Sequence, residues 1–236
     1  MRSRISAACF LMVLLSLPVP PAAGESMYWT DGQVDRIYKS DLDGTNPQIV
    51  VPELVNPIGI ALDFEGGRIY WTEGQQSRRL RRADLDGSNI EDLLTGSGDL
   101  TGIALDPVNH KVYFCTWLPG LIQRADWDGT NLETLVNNLS LPQGIALDIP
   151  GGRMYWSAVG ADKIQRANLD GTGVEDVIAG GIDEPRWIAL DLDCRKMYFS
   201  SRVGSSSKIQ RANLDGTGAQ DLVTEDSHTL GPPVAL

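Results

Sequence analysis

Three pairs of carboxylates, Asp41/Asp43, Asp84/Asp86 and Asp126/Asp128, have the Asp-x-Asp-Gly spacing that opens an oxygen-ligand loop for a hard divalent cation. Such a loop needs further oxygen donors and a glutamate at its twelfth position. Counted from Asp41 and Asp84, that position holds Pro52 and Thr95, so the residues read as hairpin turns. A basic residue recurs at one place in each repeat: Lys39, Arg82, Arg124, Arg166 and Arg211. That column offers an anion site or, given its regularity, one structural bond per repeat to a nearby Asp or a carbonyl. His110 lies in a turn and His228 in a polar stretch, neither beside a nucleophile motif, so no Ser/His/Asp relay is expected. Asp183, Glu184 and Arg186, just ahead of an expected inner strand, are a thin set for channel chemistry. No catalytic residue, metal site or cofactor is predicted.

The elements that hold these residues repeat. Tyr28, Tyr70, Tyr113, Tyr155 and Tyr198 are separated by 42, 43, 42 and 43 residues, and open the motifs YWTD, YWTE, YFCT, YWSA and YFSS. A period of about 40–50 residues marks an array of small sheets, most often a propeller. In one unit, residues 59–63 (GIALD) suit a buried inner strand and 68–72 (RIYWT) a second. Residues 80–85 (LRRADL) make a third, Asp86-Gly87 a tight hairpin turn, and 90–94 (IEDLL) an outer strand. The fold expected is all-β, a β-propeller of four-stranded antiparallel blades with five repeats.

At these residues the chain resembles the YWTD β-propeller family, the low-density lipoprotein receptor class B repeats, over roughly residues 27–236. The repeat motif is carried by Tyr28, Trp29, Asp31, Tyr70, Trp71, Glu73, Tyr113, Tyr155, Trp156 and Tyr198. The resemblance implies a propeller that binds proteins outside the cell and catalyses nothing. Two departures stand out. The motif aspartate survives as Asp31, with Glu73 conservative and Thr116, Ala158 and Ser201 elsewhere; and family members have six blades where five repeats are found. Residues 234–236 (VAL) align with the inner-strand IAL, so a closed five-bladed ring is favoured over an incomplete six-bladed one. Closure implies a monomer; an open ring allows a homodimer.

Residues 1–24 read as an export signal: Arg2 and Arg4, an apolar run over 7–17, then Pro18, Pro20, Pro21 and a small-residue cleavage site. That leaves 25–236 as the propeller, secreted or periplasmic, without a transmembrane segment. The net charge of −11 repels phosphate backbones and anionic lipid, so neither nucleic acid nor membrane insertion is expected. Cys115 and Cys194 lie two repeats apart, and buried or partly buried thiols are favoured over a bridge.

Comparing the units with one another locates a binding face. Loops joining strands one to two and three to four are nearly uniform, whereas those joining two to three and four to one diverge. Strand alternation gathers the divergent loops on one face, where specificity of a repeat scaffold resides. Trp117, Leu118, Pro119, Arg186, Trp187 and Arg202 are the candidate anchors for an extracellular or periplasmic protein (or glycan) partner. Trp187 has a second reading, as filler between blades, because three other inner strands carry glycine there. Asn138-Leu139-Ser140 is a glycosylation sequon in a surface loop. The competing function is a gluconolactonase-like or lyase-like enzyme using the central channel.

Overall fold

The computed structural model describes residues 26–203 and 206–225. They form five antiparallel sheets, the blades of an all-β five-bladed propeller. Blade 1 holds β1 (Ser26–Asp31), β2 (Arg36–Asp41) and β3 (Gln48–Val51). Blade 2 holds β4 (Pro57–Asp63), β5 (Arg68–Glu73), β6 (Arg79–Asp84) and β7 (Glu91–Thr95). Blade 3 is β8 (Leu100–Asp106), β9 (Lys111–Thr116), β10 (Leu121–Asp126) and β11 (Glu133–Val136). Blade 4 is β12 (Pro142–Asp148), β13 (Arg153–Ala158), β14 (Lys163–Asn168) and β15 (Glu175–Ile178). Blade 5 is β16 (Ile188–Asp191), β17 (Lys196–Val203), β18 (Ser206–Asn213) and β19 (Gln220–Glu225). Blades 2 to 5 have four strands each, and blade 1 shows three among the described residues. The expected leader (1–24), His228 and the closing strand (234–236) lie outside those residues.

Each blade is narrow, so its apolar residues are covered by the neighbouring blades. The second-strand tyrosine faces the following blade: the Tyr28 hydroxyl donates to the Leu85 carbonyl of blade 2 and that of Tyr113 to Leu169 of blade 4. The aromatic beside it packs the other way, and Trp71, Phe114, Trp156 and Phe199 are at most 1% exposed.

The hydroxyl of the YWT motif serves a defect in the ladder. In blade 2 the register runs Pro57 to Glu73 and then Ile60 to Trp71, so Ile58 and Gly59 together oppose Thr72. Such a bulge leaves a backbone group unpaired. Thr72 Oγ1 accepts from the Gly59 amide (2.9 Å) and donates to the Thr101 carbonyl on the next inner strand. Ser157 does the same between the Gly144 amide (2.9 Å) and the Arg186 carbonyl (2.6 Å). In blade 3 the residue is Cys115, and Thr101 supplies the hydroxyl instead, donating to the Pro142 carbonyl at 3.1 Å.

The bulge glycines are required by close approach. A Cβ on Gly59, Gly102 or Gly144 would sit 2.5, 2.3 or 2.6 Å from a carbonyl oxygen of the next inner strand. Trp187 occupies this position in blade 5.

The basic column is structural. Arg82, Arg124 and Arg166 donate to the carbonyls of Trp127, Leu169 and Leu214 in the following blade, at 2.9, 3.3 and 3.1 Å. Their acidic partners are Glu91, Glu133 and Glu175 on the outer strand, not the aspartates anticipated. In blade 5, Arg211 faces Gln220.

The Asp-Gly turns form, but not as two-residue hairpins. Gly87 N donates to Asp84 O at 2.8 Å inside a connection running from residue 85 to 90. The Asp86 carboxylate accepts from the Ser88 amide and hydroxyl, and Asp43, Asp128, Asp170 and Asp215 bond Thr45, Thr130, Thr172 and Thr217 alike. These local bonds hold the five carboxyls below their usual range.

Cys115 is buried and unbridged, its thiol pushed up by burial. Cys194 is likewise free but exposed, in the turn between β16 and β17, so the expectation of a buried second thiol fails there. The Asp191 carboxylate beside it raises its pKa.

Candidate binding face

The loops that diverge between units meet on one face and bond to one another. The Asp35 carboxylate, between β1 and β2, accepts from the Asn56 amide at 2.8 Å, and Asp35 O accepts from Leu54 N. Arg78, between β5 and β6, donates to Asp99, between β7 and β8, at 3.1 Å. Asp162, after the short 3-10 turn Val159–Ala161, accepts from the Glu184 amide at 2.8 Å. In blades 1, 2 and 4 the two-to-three loop is thus tied to an adjoining four-to-one loop. The face is a set of braced loops on the rigid ends of strands.

Trp117, Leu118 and Pro119 occupy the β9–β10 connection. Trp117 N donates to Asp99 O at 2.8 Å, and Gly120 O accepts from Leu139 N at 3.0 Å, so loops on both flanks back the segment. Within that frame Trp117 is half-buried, Leu118 is 56% exposed and Pro119 is exposed. A large apolar side chain held outward by a braced backbone loses little conformational freedom when a partner covers it.

Arg186, Trp187 and Arg202 form a second group, in blade 5. Arg186 N donates to Ser200 O, Ser200 N to Trp187 O and Arg202 N to Asp183 O. The Arg186 guanidinium pairs with Glu184 at 2.9 Å, both about 40% exposed. Arg202 does not sit in a loop as the sequence suggested: β17 continues through Val203, and Arg202 pairs with Ser207 near the strand end, its side chain exposed. Trp187 is 7% exposed and lines a small hollow with Ile188, Ala189, Tyr198, Phe199, Ser200 and Ile209. The six anchors therefore fall in two clusters, on blades 3 and 5, with blade 4 between them.

The motif's acidic position varies with its neighbours. Asp31 caps the turn after β1, accepting from Gln33 N at 2.9 Å. Glu73, 1% exposed, accepts from Trp71 Nε1 (3.1 Å), Ser77 Oγ (2.5 Å) and Arg81 (3.1 Å). Thr116 and Ser201 donate to Gln123 and Gln210 at 2.8 and 2.7 Å. The third-strand glutamines that replace Arg81 were a legible signal that sequence reasoning missed.

Another feature escaped the sequence. The exposed Val34 and Val55 lie in divergent loops of blade 1, so that face carries apolar side chains beyond the Trp117 segment. Phe64 and Val108 are exposed at turn tips on the opposite face. No helix among the described residues is long and apolar enough to cross a membrane.

Comparison with known proteins places this architecture. The family model for the low-density lipoprotein receptor repeat class B matches residues 25–64. The mouse low-density lipoprotein receptor-related protein 5 is 39% identical over 51 residues, which is 21% of this chain and 3% of that protein. The present chain thus corresponds to a small fraction of that relative's length. A chain in the crystal structure of the nidogen/laminin complex superposes with a TM-score of 0.77 at 24% identity, over 90% of this chain and 80% of its own. A putative TolB from Agrobacterium tumefaciens superposes with a TM-score of 0.71 at 14% identity, over 85% and 77% of the two chains. At those identities the likeness is one of fold. The chain carries a low-density lipoprotein receptor class B (YWTD) repeat, in a propeller similar to the YWTD domains of nidogen and of the receptor-related proteins.

Proposed function

We propose that this chain is an exported, non-enzymatic binding module that recognises a protein through its divergent-loop face. The observation that carries the reading is the Trp117–Leu118–Pro119 segment, apolar, outward-facing and braced on both sides by backbone bonds. Aromatic and arginine side chains supply most of the energy at protein interfaces, and Arg202 provides a cationic anchor on the same face. The similar nidogen structure is a complex with laminin, which supports a protein as the class of partner. The channel reading as an enzyme has less behind it: Arg186 is paired with Glu184 and its backbone is spent on Ser157 and Ser200.

A photo-crosslinking residue placed at Leu118, and in a second protein at Val108 on the opposite face, tests the assignment in secreting cells. Saturable capture at position 118, competed by unlabelled protein and lost with Trp117→Ala, is the expected result. Equal capture from both positions, or capture from position 108 alone, refutes the face.

A further inference from the structure

The stretch 137–141 joins β11 to β12 and crosses the divergent face between two other loops. Leu139 N donates to Gly120 O of blade 3, and Val159 N and Gly160 N donate to Leu141 O and Ser140 O, so the stretch is clamped from both sides. Asn138 and Ser140 nevertheless point out: both are exposed, and the Asn138 amide nitrogen donates only to the neighbouring Asn137 side chain, at 2.9 Å. Asn138-Leu139-Ser140 is the sole Asn-x-Ser/Thr triplet in the sequence, and its middle residue is not proline. A φ of 57° at Asn138 turns the chain there, a conformation asparagine tolerates better than most residues.

We propose that Asn138 carries an N-linked glycan that overhangs the Trp117–Pro119 segment and controls access to it. This rests on the export and binding-face readings above. In the transfer, a polyprenyl-diphosphate-linked oligosaccharide is the donor. A bond forms between the Asn138 side-chain nitrogen and the sugar C1 as the C1–O bond to diphosphate breaks. The amide loses one proton, and the polyprenyl diphosphate leaves with the bonding electrons. The nitrogen keeps its other proton, so the bond to Asn137 survives. Shielding follows from the clamp: Leu139 is tied to Gly120, two residues from Leu118, and an oligosaccharide is far larger than that separation.

The test uses the full chain behind a second, independent leader in a secreting eukaryotic cell, so that entry to the lumen does not depend on residues 1–24. A glycosidase specific for Asn-linked sugar lowers the mass of the secreted protein by one glycan and converts Asn138 to aspartate. Asn138→Gln and Ser140→Ala each abolish the shift. A secreted wild-type chain with no shift overturns the proposal. For shielding, Leu118→Cys is labelled with a polymer-linked maleimide, with Cys194 on the opposite face as internal reference. Relative to Cys194, labelling at position 118 accelerates at least threefold on glycan removal; equal rates overturn the shielding. If crosslinking at position 118 fails even in Asn138→Gln, the binding-face reading fails, whatever the glycan result.

Discussion

Replacing Thr72 by valine keeps the shape of a fully buried side chain and removes one oxygen. That oxygen accepts from the Gly59 amide and donates to the Thr101 carbonyl, joining blade 2 to blade 3. Valine leaves both backbone groups buried and unpaired, at a cost of about 1–3 kcal/mol each. Burying a methyl in place of a hydroxyl returns roughly 1 kcal/mol. The net expectation for Thr72→Val is a loss of about 1–5 kcal/mol, read as a lower urea midpoint at unchanged slope. For a domain of this size it corresponds to a fall in Tm of roughly 2–20 °C. The chain contains its own control. Cys115 occupies the same motif position in blade 3, where the hydroxyl duty belongs to Thr101. Cys115→Val should cost under about 1 kcal/mol, since only packing changes. Thr101→Val strands the Pro142 carbonyl but no amide, so it should cost less than Thr72→Val, about 0–2 kcal/mol. If Cys115→Val proves as damaging as Thr72→Val, packing and not the bridging hydroxyl holds the blades, and the account of the motif is wrong.

Three further outcomes follow from the same geometry. Arg166→Met keeps the aliphatic stem but loses the bond to Leu214 O and the contact over the Tyr155 ring (5.9 Å), for about 2–3 kcal/mol by urea melt. Lys39→Met, at the same place in blade 1, should cost under about 0.5 kcal/mol, and equal losses would discredit the inter-blade clamp. Glu73→Ala leaves Trp71 Nε1 unpaired in the interior and Arg81 with Asp92 as its remaining carboxylate, and should cost about 2–3 kcal/mol; a loss below about 1 kcal/mol would show that the buried carboxylate is dispensable. The turn aspartates 43, 86, 128, 170 and 215 have folded pKa values below their unfolded ones, so they stabilise the protein above about pH 4 and lose that contribution as pH falls through the depressed values. The urea midpoint should drop between pH 6 and pH 3, with a shallower slope for Thr172→Val, and a flat profile would refute the assignment.

The fold was legible because the tyrosine period, the IALD strands and the Asp-Gly turns are local signals, each repeated often enough to exclude coincidence. Strand limits followed to within a few residues. Pairing that depends on the neighbouring blade was not legible. The bulge opposite Thr72 arises from a register shift that no single segment encodes. The passing of the inter-blade donation from Cys115's position to Thr101 requires knowing that the two residues oppose each other at the blade 3 bulge. The glutamates facing the arginine column were in plain sight on the outer strands, but only the cross-strand register selects them over the nearer aspartates.

The candidate anchors were chosen because they depart from the repeat, and a departure has two sources: a changed neighbour or a changed function. Trp187 departs at the position where the other inner strands carry a glycine forced by close approach. Among the described residues of blades 5 and 1, Tyr198 is half-buried where Tyr70, Tyr113 and Tyr155 are at most 2% exposed, and Trp29 is half-buried where Trp71, Phe114, Trp156 and Phe199 are at most 1% exposed. The 7% exposure of Trp187 fits its reading as filler between blades better than as an anchor. Arg186 is engaged by Glu184 and lends its backbone to the blade 4–5 latch. No such packing account covers Leu118 and Pro119, which face solvent on a segment braced from both sides. Removing the departures that packing explains leaves these residues, with the half-buried Trp117 beside them, as the part of the sequence that the fold does not require. A partner has to be sought there first.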